Sequence, residues 1–263
     1  MTSTALITGA SSGIGAAFAR QFAAQGYDLI LVARRRERLA ALAAEMQQRH
    51  AISAEILPAD LANPADVERV QRRIAEVNTL DTLINNAGFG TSGPFVEVGL
   101  AKQVEMIHVH VTASVRLCHA ALPGMIARRR GAIINVSSVA AFWPLPGNAT
   151  YAATKAYLIT FSEALRTELL GTGVKVQALC PGFTYTEFHD KPRFEGFERS
   201  AIPAMMWMSA EDVVAASLKA LRRDQVICVP GFKNRLIVAL AGNPLTPLLL
   251  RVWYKWHNYS ATS

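Results

Sequence analysis

Thr8-Gly-Ala-Ser-Ser-Gly-Ile-Gly15 follows the short apolar run Ala5–Thr8 and leads into a segment carrying Ile14, Phe18 and Phe22 on one helical face. A glycine-rich turn between a strand and a helix lets backbone approach a ligand and aims the free N–H groups of the first helical turn at it. A phosphate suits such a turn, although the spacing is GxxxGxG and not the GxGxxG of the dinucleotide fingerprint. Outward from this turn the chain keeps a strand–helix rhythm. Asp28–Ala33, Ala54–Ala59, Thr82–Asn85, Ala132–Val136, Val174–Leu179 and Val226–Val229 read as further strands. Most are apolar throughout, as parallel strands covered on both faces should be. Between them, Leu39, Leu42 and Met46 share a helix face. Asn63-Pro64 supplies an N-cap and a first-turn proline ahead of Val67, Val70, Ile74 and Val77, and Ser209-Ala-Glu-Asp212 opens a helix through Leu221. The pattern predicts an α/β fold: one doubly wound parallel sheet of about seven strands with helices on both faces, a single domain over residues 1–263. Two stretches break the rhythm, a long loop at 183–208 that reads as a substrate loop and a C-terminal tail at 231–263.

The 263 residues are 51% hydrophobic and 18% charged, which excludes a disordered or fibrous protein. Lys+Arg exceed Asp+Glu by 27 to 20, a net charge of +7. The two arginine runs, 34–36 and 128–130, carry no interleaved aromatics and no nucleic-acid-reading motif accompanies them, so no nucleic-acid partner is expected. Cys118, Cys180 and Cys228 are odd in number and far apart, which argues against a disulfide framework; the absence of clustered Cys/His spacing argues against a metal site. A reducing, cytoplasmic setting fits, and Met1-Thr-Ser-Thr4 has no basic leader. Leu236–Leu250 is apolar but interrupted by Asn243-Pro244 and Thr246-Pro247, too short and broken to span a bilayer. It reads as a docked tail over a pocket or subunit contact. With Arg251, Trp253, Tyr254, Lys255, Trp256 and Tyr259 behind it, weak contact with a membrane surface is the other reading.

Tyr151 and Lys155 stand four residues apart and share a helix face. Tyrosine, with an ordinary pKa of about 10, is a poor base at neutral pH, and a neighbouring ammonium is expected to lower that pKa toward the working range. Ser138 closes a strand at the end where open α/β sheets hold ligands, while Ser137 would face the other way. Beyond the glycine turn, Asp60-Leu61, Asn85-Asn-Ala-Gly88, Ser138 with Tyr151-Ala-Ala-Thr-Lys155, and Pro181-Gly182 follow in order. Together these motifs resemble the short-chain dehydrogenases/reductases, in the branch of about 250 residues, over nearly the whole chain.

The resemblance implies a Rossmann-like sheet and interconversion of a carbonyl and an alcohol. In that chemistry Ser138 orients the substrate oxygen, Tyr151 exchanges the proton, Lys155 tunes it and a nicotinamide cofactor carries the hydride. It further implies cofactor contacts from Gly9, Ser11, Ser12, Gly13, Ile14 and Gly15, from Asp60 and Leu61 at the adenine, and from Asn86, Ala87 and Gly88 near the ribose. Tyr151 and Lys155 join them, with Pro181, Gly182, Phe183, Thr184 and Thr186 closing over the nicotinamide end. One position departs from the family pattern: on the helix carrying Met106–Ser114, His110 stands where an asparagine is expected. Such a histidine either holds a proton-relaying water, as the asparagine is thought to do, or is a packed helix residue. Strand two ends in Ala33-Arg34-Arg35-Arg36, without the acid that would meet ribose hydroxyls. Arginine forks suit a 2′-phosphate, so NADP(H) is the expected cofactor, with Arg34 the first candidate and Arg35 the second. Cations at a helix start oppose its dipole, so something anionic is expected to compensate them; Arg128–Arg130 end a helix and are assigned no function. Phe183, Tyr185, Phe188, Phe194, Phe197, Met205, Met206 and Trp207, with Trp143, Leu145 and Pro146, suggest an apolar carbonyl or alcohol substrate such as a steroid, acyl or aromatic ketone. Ordinary core beneath the loop is the plainer reading of half of them. The resemblance also implies a homodimer or homotetramer. Two rival readings are an NADP(H)-binding sensor or scaffold with little turnover, and a membrane-surface reductase that modifies lipids.

Overall fold

The computed structural model describes residues 2–91, 93–143, 146–188 and 199–241. Leu145, Phe194, Phe197 and the tail beyond residue 241, with its Trp253, Tyr254, Trp256 and Tyr259, lie outside the described residues. Strands β1 (Thr4–Thr8), β2 (Asp28–Ala33), β3 (Ala54–Pro58), β4 (Leu80–Asn85), β5 (Gly131–Val136), β6 (Val174–Leu179) and β7 (Ile227–Cys228) form one parallel sheet in the order β3-β2-β1-β4-β5-β6-β7. The winding reverses between β1 and β4, and a crevice opens there at the C-terminal ends of the strands.

Adjacent residues of a buried strand serve opposite layers, because side chains alternate across a sheet. Ile7 and Leu31 meet Phe18 and Phe22 of α1 (Gly13–Ala23), Leu39 and Met46 of α2 (Arg36–His50), and Val213 of α7 (Ala210–Arg222). Leu6, Leu83 and Ile133 meet Val70 and Ile74 of α3 (Pro64–Glu76), Met106 of α4 (Leu100–Ile107), Leu117 of α5 (Ala113–Ala127) and Leu165 of α6 (Ala149–Glu168). Fully burying each of these larger side chains contributes about 1.5–3 kcal/mol. The caps read from the sequence form: Asn63 Oδ1 accepts the Ala65 N–H at 3.0 Å, and Ser209 Oγ accepts the Asp212 N–H at 3.0 Å. β4 begins two residues earlier than its β-branched run, because Leu80 pairs with Thr4. β7, at the sheet edge, keeps only Ile227–Cys228 of the predicted Val226–Val229.

The helix predicted through Met106–Ser114 is not a regular α-helix. A π turn at His108–Thr112 joins α4 to α5, and Ser114 Oγ donates to the His110 carbonyl at 2.7 Å within the widened turn. Arg128 and Arg129 donate to the carbonyls of Leu80 (2.7 Å) and Gly171 (2.9 Å), and Arg130 meets the Asp81 carboxylate at 2.6 Å; this run ties strand and loop ends together. The three cysteines are buried free thiols. A final described helix, α8 (Phe232–Ala241), opens the tail, and no described helix is long and apolar enough to cross a membrane.

Candidate active site

A cavity of about 960 Å³ runs along the C-terminal ends of the strands from β2 to β6. Its floor is the turn after β1. Gly9 (φ +66°) and Gly13 (φ +55°) adopt left-handed backbone that side-chain-bearing residues rarely take. A Cβ on Gly9 would stand 2.7 Å from Asn86 Nδ2 and 2.9 Å from Ala87 Cα, and one on Gly13 would stand 2.8 Å from Thr186 Cγ2. The turn is braced from β4: Thr8 Oγ1 accepts the N–H groups of Asn86 (2.9 Å) and Ala87 (3.0 Å), and Asn86 Nδ2 donates to the Thr8 carbonyl at 2.9 Å. Asn86 therefore joins the two strands at the reversal point as well as lining the cavity. Of the cofactor contacts expected from the sequence, only Gly15 fails to line it; its Cα faces the Gly9 carbonyl, which an added Cβ would approach to 2.4 Å.

Ser138, Tyr151 and Lys155 line the same cavity. β5 delivers Ser138, whose Oγ accepts the Ala140 N–H at 3.1 Å and pairs with the Tyr151 phenol. Ser137, which also lines the cavity, donates to the Lys155 carbonyl at 2.7 Å and fixes α6 against the strand. Lys155 Nζ donates to the Val136 carbonyl at 2.8 Å and lies 5.6 Å from the centre of the Tyr151 ring. Burial pushes the phenol up to about 12, with the Ser138 hydrogen bond pulling the other way. Burial also draws the Lys155 ammonium down to about 8, opposed by nearby Cys180. Removal from water, rather than an effect of Lys155, dominates the phenol here, and burial favours the neutral form of both groups.

His110 does not line the cavity; it is completely buried behind Gly88. Its Nε2 accepts the Phe89 N–H at 3.0 Å, so the ring proton sits on Nδ1, which faces Thr154 Oγ1 at 2.9 Å. Thr154 in turn donates to the Tyr151 carbonyl at 2.8 Å. The imidazole therefore links the loop after β4 to the helix that carries Tyr151 and Lys155, with both nitrogens engaged by protein groups. That geometry matches the packed reading of His110 better than the water-holding one. A Cβ on Gly88 would meet His110 Nε2 at 2.9 Å and Lys155 Nζ at 3.6 Å, so the glycine makes room for both.

At the other end stand the arginines. Arg34 faces Asp60 at 3.7 Å and Glu105 at 4.0 Å. Arg35 donates from Nη2 to the hydroxyls of Ser11 (2.9 Å) and Ser12 (2.8 Å), and from Nη1 to Glu187 (2.9 Å). The anions expected to compensate this helix start are the protein's own carboxylates. Glycine backbone, serine hydroxyls and guanidinium groups on one wall fit a phosphorylated dinucleotide, with Ser11, Ser12, Arg34 and Arg35 placed to hold it.

The sequence did not single out Glu187 or the α8 stripe Asn234, Ile237 and Leu240 as cavity residues. The three-residue spacing of that stripe was the available signal, hidden inside an apolar run counted from Leu236. Trp143, Phe183, Phe188 and Met206 complete an apolar half; the cations among the described lining residues are Arg34, Arg35 and Lys155.

A family model described as short chain dehydrogenase matches residues 3–194. Sulfoacetaldehyde reductase 2 of Chromohalobacter salexigens is 39% identical over 222 residues, covering 81% of this chain and 86% of that protein. Among solved structures, a short-chain dehydrogenase from Sphingobium yanoikuyae in complex with NADPH is similar at a TM-score of 0.82 and 36% identity, covering 98% of this chain and 95% of that one. A bulky-bulky ketone specific alcohol dehydrogenase from Comamonas testosteroni is similar at a TM-score of 0.77 and 29% identity, covering 99% and 94%.

Proposed function

The chain belongs to the short-chain dehydrogenase/reductase family of oxidoreductases, and we propose that it is a single-domain NADP(H)-dependent enzyme interconverting a carbonyl and an alcohol on a bulky apolar substrate. The observation that carries this reading is the convergence of Ser138, Tyr151 and Lys155 in the cavity whose floor is the glycine turn after β1. When bound, the nicotinamide supplies the hydride chemistry. Ser138 holds the substrate oxygen by its hydroxyl. Tyr151, pushed up to about 12, is a neutral phenol at physiological pH and donates its proton to that oxygen as charge develops there. Lys155, held by the Val136 carbonyl beside the ring, stabilises the phenolate left behind. Arg35, with Ser11 and Ser12, recognises a 2′-phosphate, and Arg34 assists. The similarity to an NADPH complex supports the cofactor choice.

The substrate class rests on the apolar half of the cavity, where Trp143, Phe183, Phe188 and Met206 face Ile237 and Leu240, and on the similarity to a bulky-ketone enzyme. The relative named sulfoacetaldehyde reductase 2 points to a small anionic aldehyde instead, so that substrate belongs in the test. The test is NADPH consumption across a panel of apolar ketones and aldehydes, with sulfoacetaldehyde alongside and Tyr151→Phe as control. Turnover of bulky ketones that the variant abolishes supports the reading. NADPH binding without turnover of any carbonyl moves the sensor reading ahead of it.

A further inference from the structure

Glu187 and Phe188 are consecutive residues that reach opposite ends of the cavity. Both carboxylate oxygens of Glu187 accept from Arg38 Nη1, at 2.5 and 2.7 Å, and one of them also accepts from Arg35 Nη1 at 2.9 Å. The two guanidinium groups hold its carboxyl below the usual carboxylate range. Phe188, one residue on, packs its ring against the Tyr151 ring at 6.1 Å between centres. The segment also lies directly over the glycine turn, since a Cβ on Gly13 would touch the Thr186 side chain at 2.8 Å.

We propose that Glu187 is a specificity-determining residue: its carboxylate competes with the 2′-phosphate of the cofactor for Arg35 and Arg38, and yielding them shifts Phe188 at Tyr151. This deepens the NADP(H) reading and rests on it. Arg35 already holds Ser11 and Ser12 with Nε and Nη2, so Nη1 is the face left for an anion, and Glu187 stands on it. The side chains of Arg35, Arg38 and Glu187 are 37%, 49% and 44% exposed. Ion pairs so exposed are weak, and a phosphate carrying nearly two negative charges displaces a carboxylate carrying one. A cofactor lacking that phosphate has nothing to exchange with Glu187 and leaves Phe188 where it packs. Cofactor discrimination therefore includes a step at the substrate end of the site, 187 and 188 being joined by one peptide bond.

The experiment titrates the full chain and its Glu187→Gln variant calorimetrically with NADPH, NADH, adenosine 2′-monophosphate and adenosine 5′-monophosphate, and follows amide exchange at residues 186–188. Removing the competing charge is expected to tighten NADPH and the 2′-monophosphate about tenfold, with NADH and the 5′-monophosphate changed less than about twofold. In the unaltered chain the 2′-monophosphate should speed exchange at 186–188 and the 5′-monophosphate should not. NADPH binding left unchanged or weakened by Glu187→Gln overturns the inference alone, making the carboxylate a brace for the arginines. Exchange at 186–188 that ignores the 2′-monophosphate overturns the link to Phe188 without any variant. Failure of the unaltered chain to bind NADPH overturns the cofactor reading as well.

Discussion

Burial of Lys155 imposes a penalty that one substitution can measure. Removal from water draws its pKa from the ordinary 10.5 to about 8, which corresponds to about 3 kcal/mol of folding free energy. The sign follows from proton counting. Below a pH of about 8 folded and unfolded chains both carry the ammonium, and the folded chain bears the full penalty. Between about 8 and 10.5 the unfolded chain keeps a proton that the folded chain has released, so stability rises with pH; above that window nothing further changes. Lys155→Met removes the penalty but leaves the Val136 carbonyl without the 2.8 Å partner it now has, a loss of about 1–3 kcal/mol. At a pH of about 7 the variant should be level with the natural protein or more stable by up to about 2 kcal/mol. At a pH of about 11, above that window, the order should reverse, the methionine variant being the weaker by about 1–3 kcal/mol. Urea unfolding of the two proteins across this range is the assay, and the difference between them isolates Lys155 from every other group that titrates. Two curves that stay parallel from neutral to alkaline pH would refute the buried-ammonium reasoning. Carbonyl reduction should be lost in the variant at every pH, so a more stable and inactive protein is the expected product at neutrality.

Reductive kcat/KM should fall as pH rises through about 8, where Lys155 releases its proton, with no break from Tyr151 since its phenol lies near 12; a profile flat to pH of about 10 would contradict this assignment. Gly9→Ala should destabilise the fold by about 2–5 kcal/mol, from left-handed strain at φ +66° plus contact with the Ala87 backbone at 2.9 Å; thermal unfolding reads it. Arg35→Ala should weaken NADPH about 10- to 100-fold by removing a charge-assisted fork while leaving NADH within about threefold; equal losses for both cofactors in a binding titration would move phosphate recognition to Arg34. His110→Phe should lower stability by about 1–3 kcal/mol, since the Phe89 N–H loses its buried acceptor at 3.0 Å; an unchanged unfolding midpoint would mean that the link to Thr154 carries no load.

The sheet was legible because its strands are buried on both faces. Leu6 and Ile7 must both be apolar when one serves each layer, and such runs stand out between the amphipathic helices. Element ends were legible where a side chain does the capping, as at Asn63 and Ser209, and drifted where pairing decides, as at Leu80 and the short edge strand β7. The π turn at His108–Thr112 was not legible. Its residues continue a helical pattern, and the register change depends on contacts from elsewhere in the chain: Phe89 in the loop after β4 and Thr154 on α6.

Charge was harder to read than position. Spacing alone put Tyr151 beside Lys155, and from two neighbouring groups the natural inference is that the ammonium acidifies the phenol. What spacing omits is how much water the fold removes. Val136, Ser137 and Gly88 enclose Lys155 tightly enough that its own proton is destabilised, and Tyr151, under the rings of His110 and Phe188, is pushed the same way. Burial thus keeps the phenol protonated, and Lys155 beside the ring is placed to stabilise a phenolate once the proton leaves. The arginine run showed only part of its surroundings: Arg34, Arg35 and Arg38 lie at a helix start in need of anions, and beside the expected cofactor phosphate the fold supplies Asp60 from just beyond β3 and Glu187 from 152 residues beyond Arg35. No local pattern announces a carboxylate that distant, and yet it stands where the expected ligand phosphate would bind.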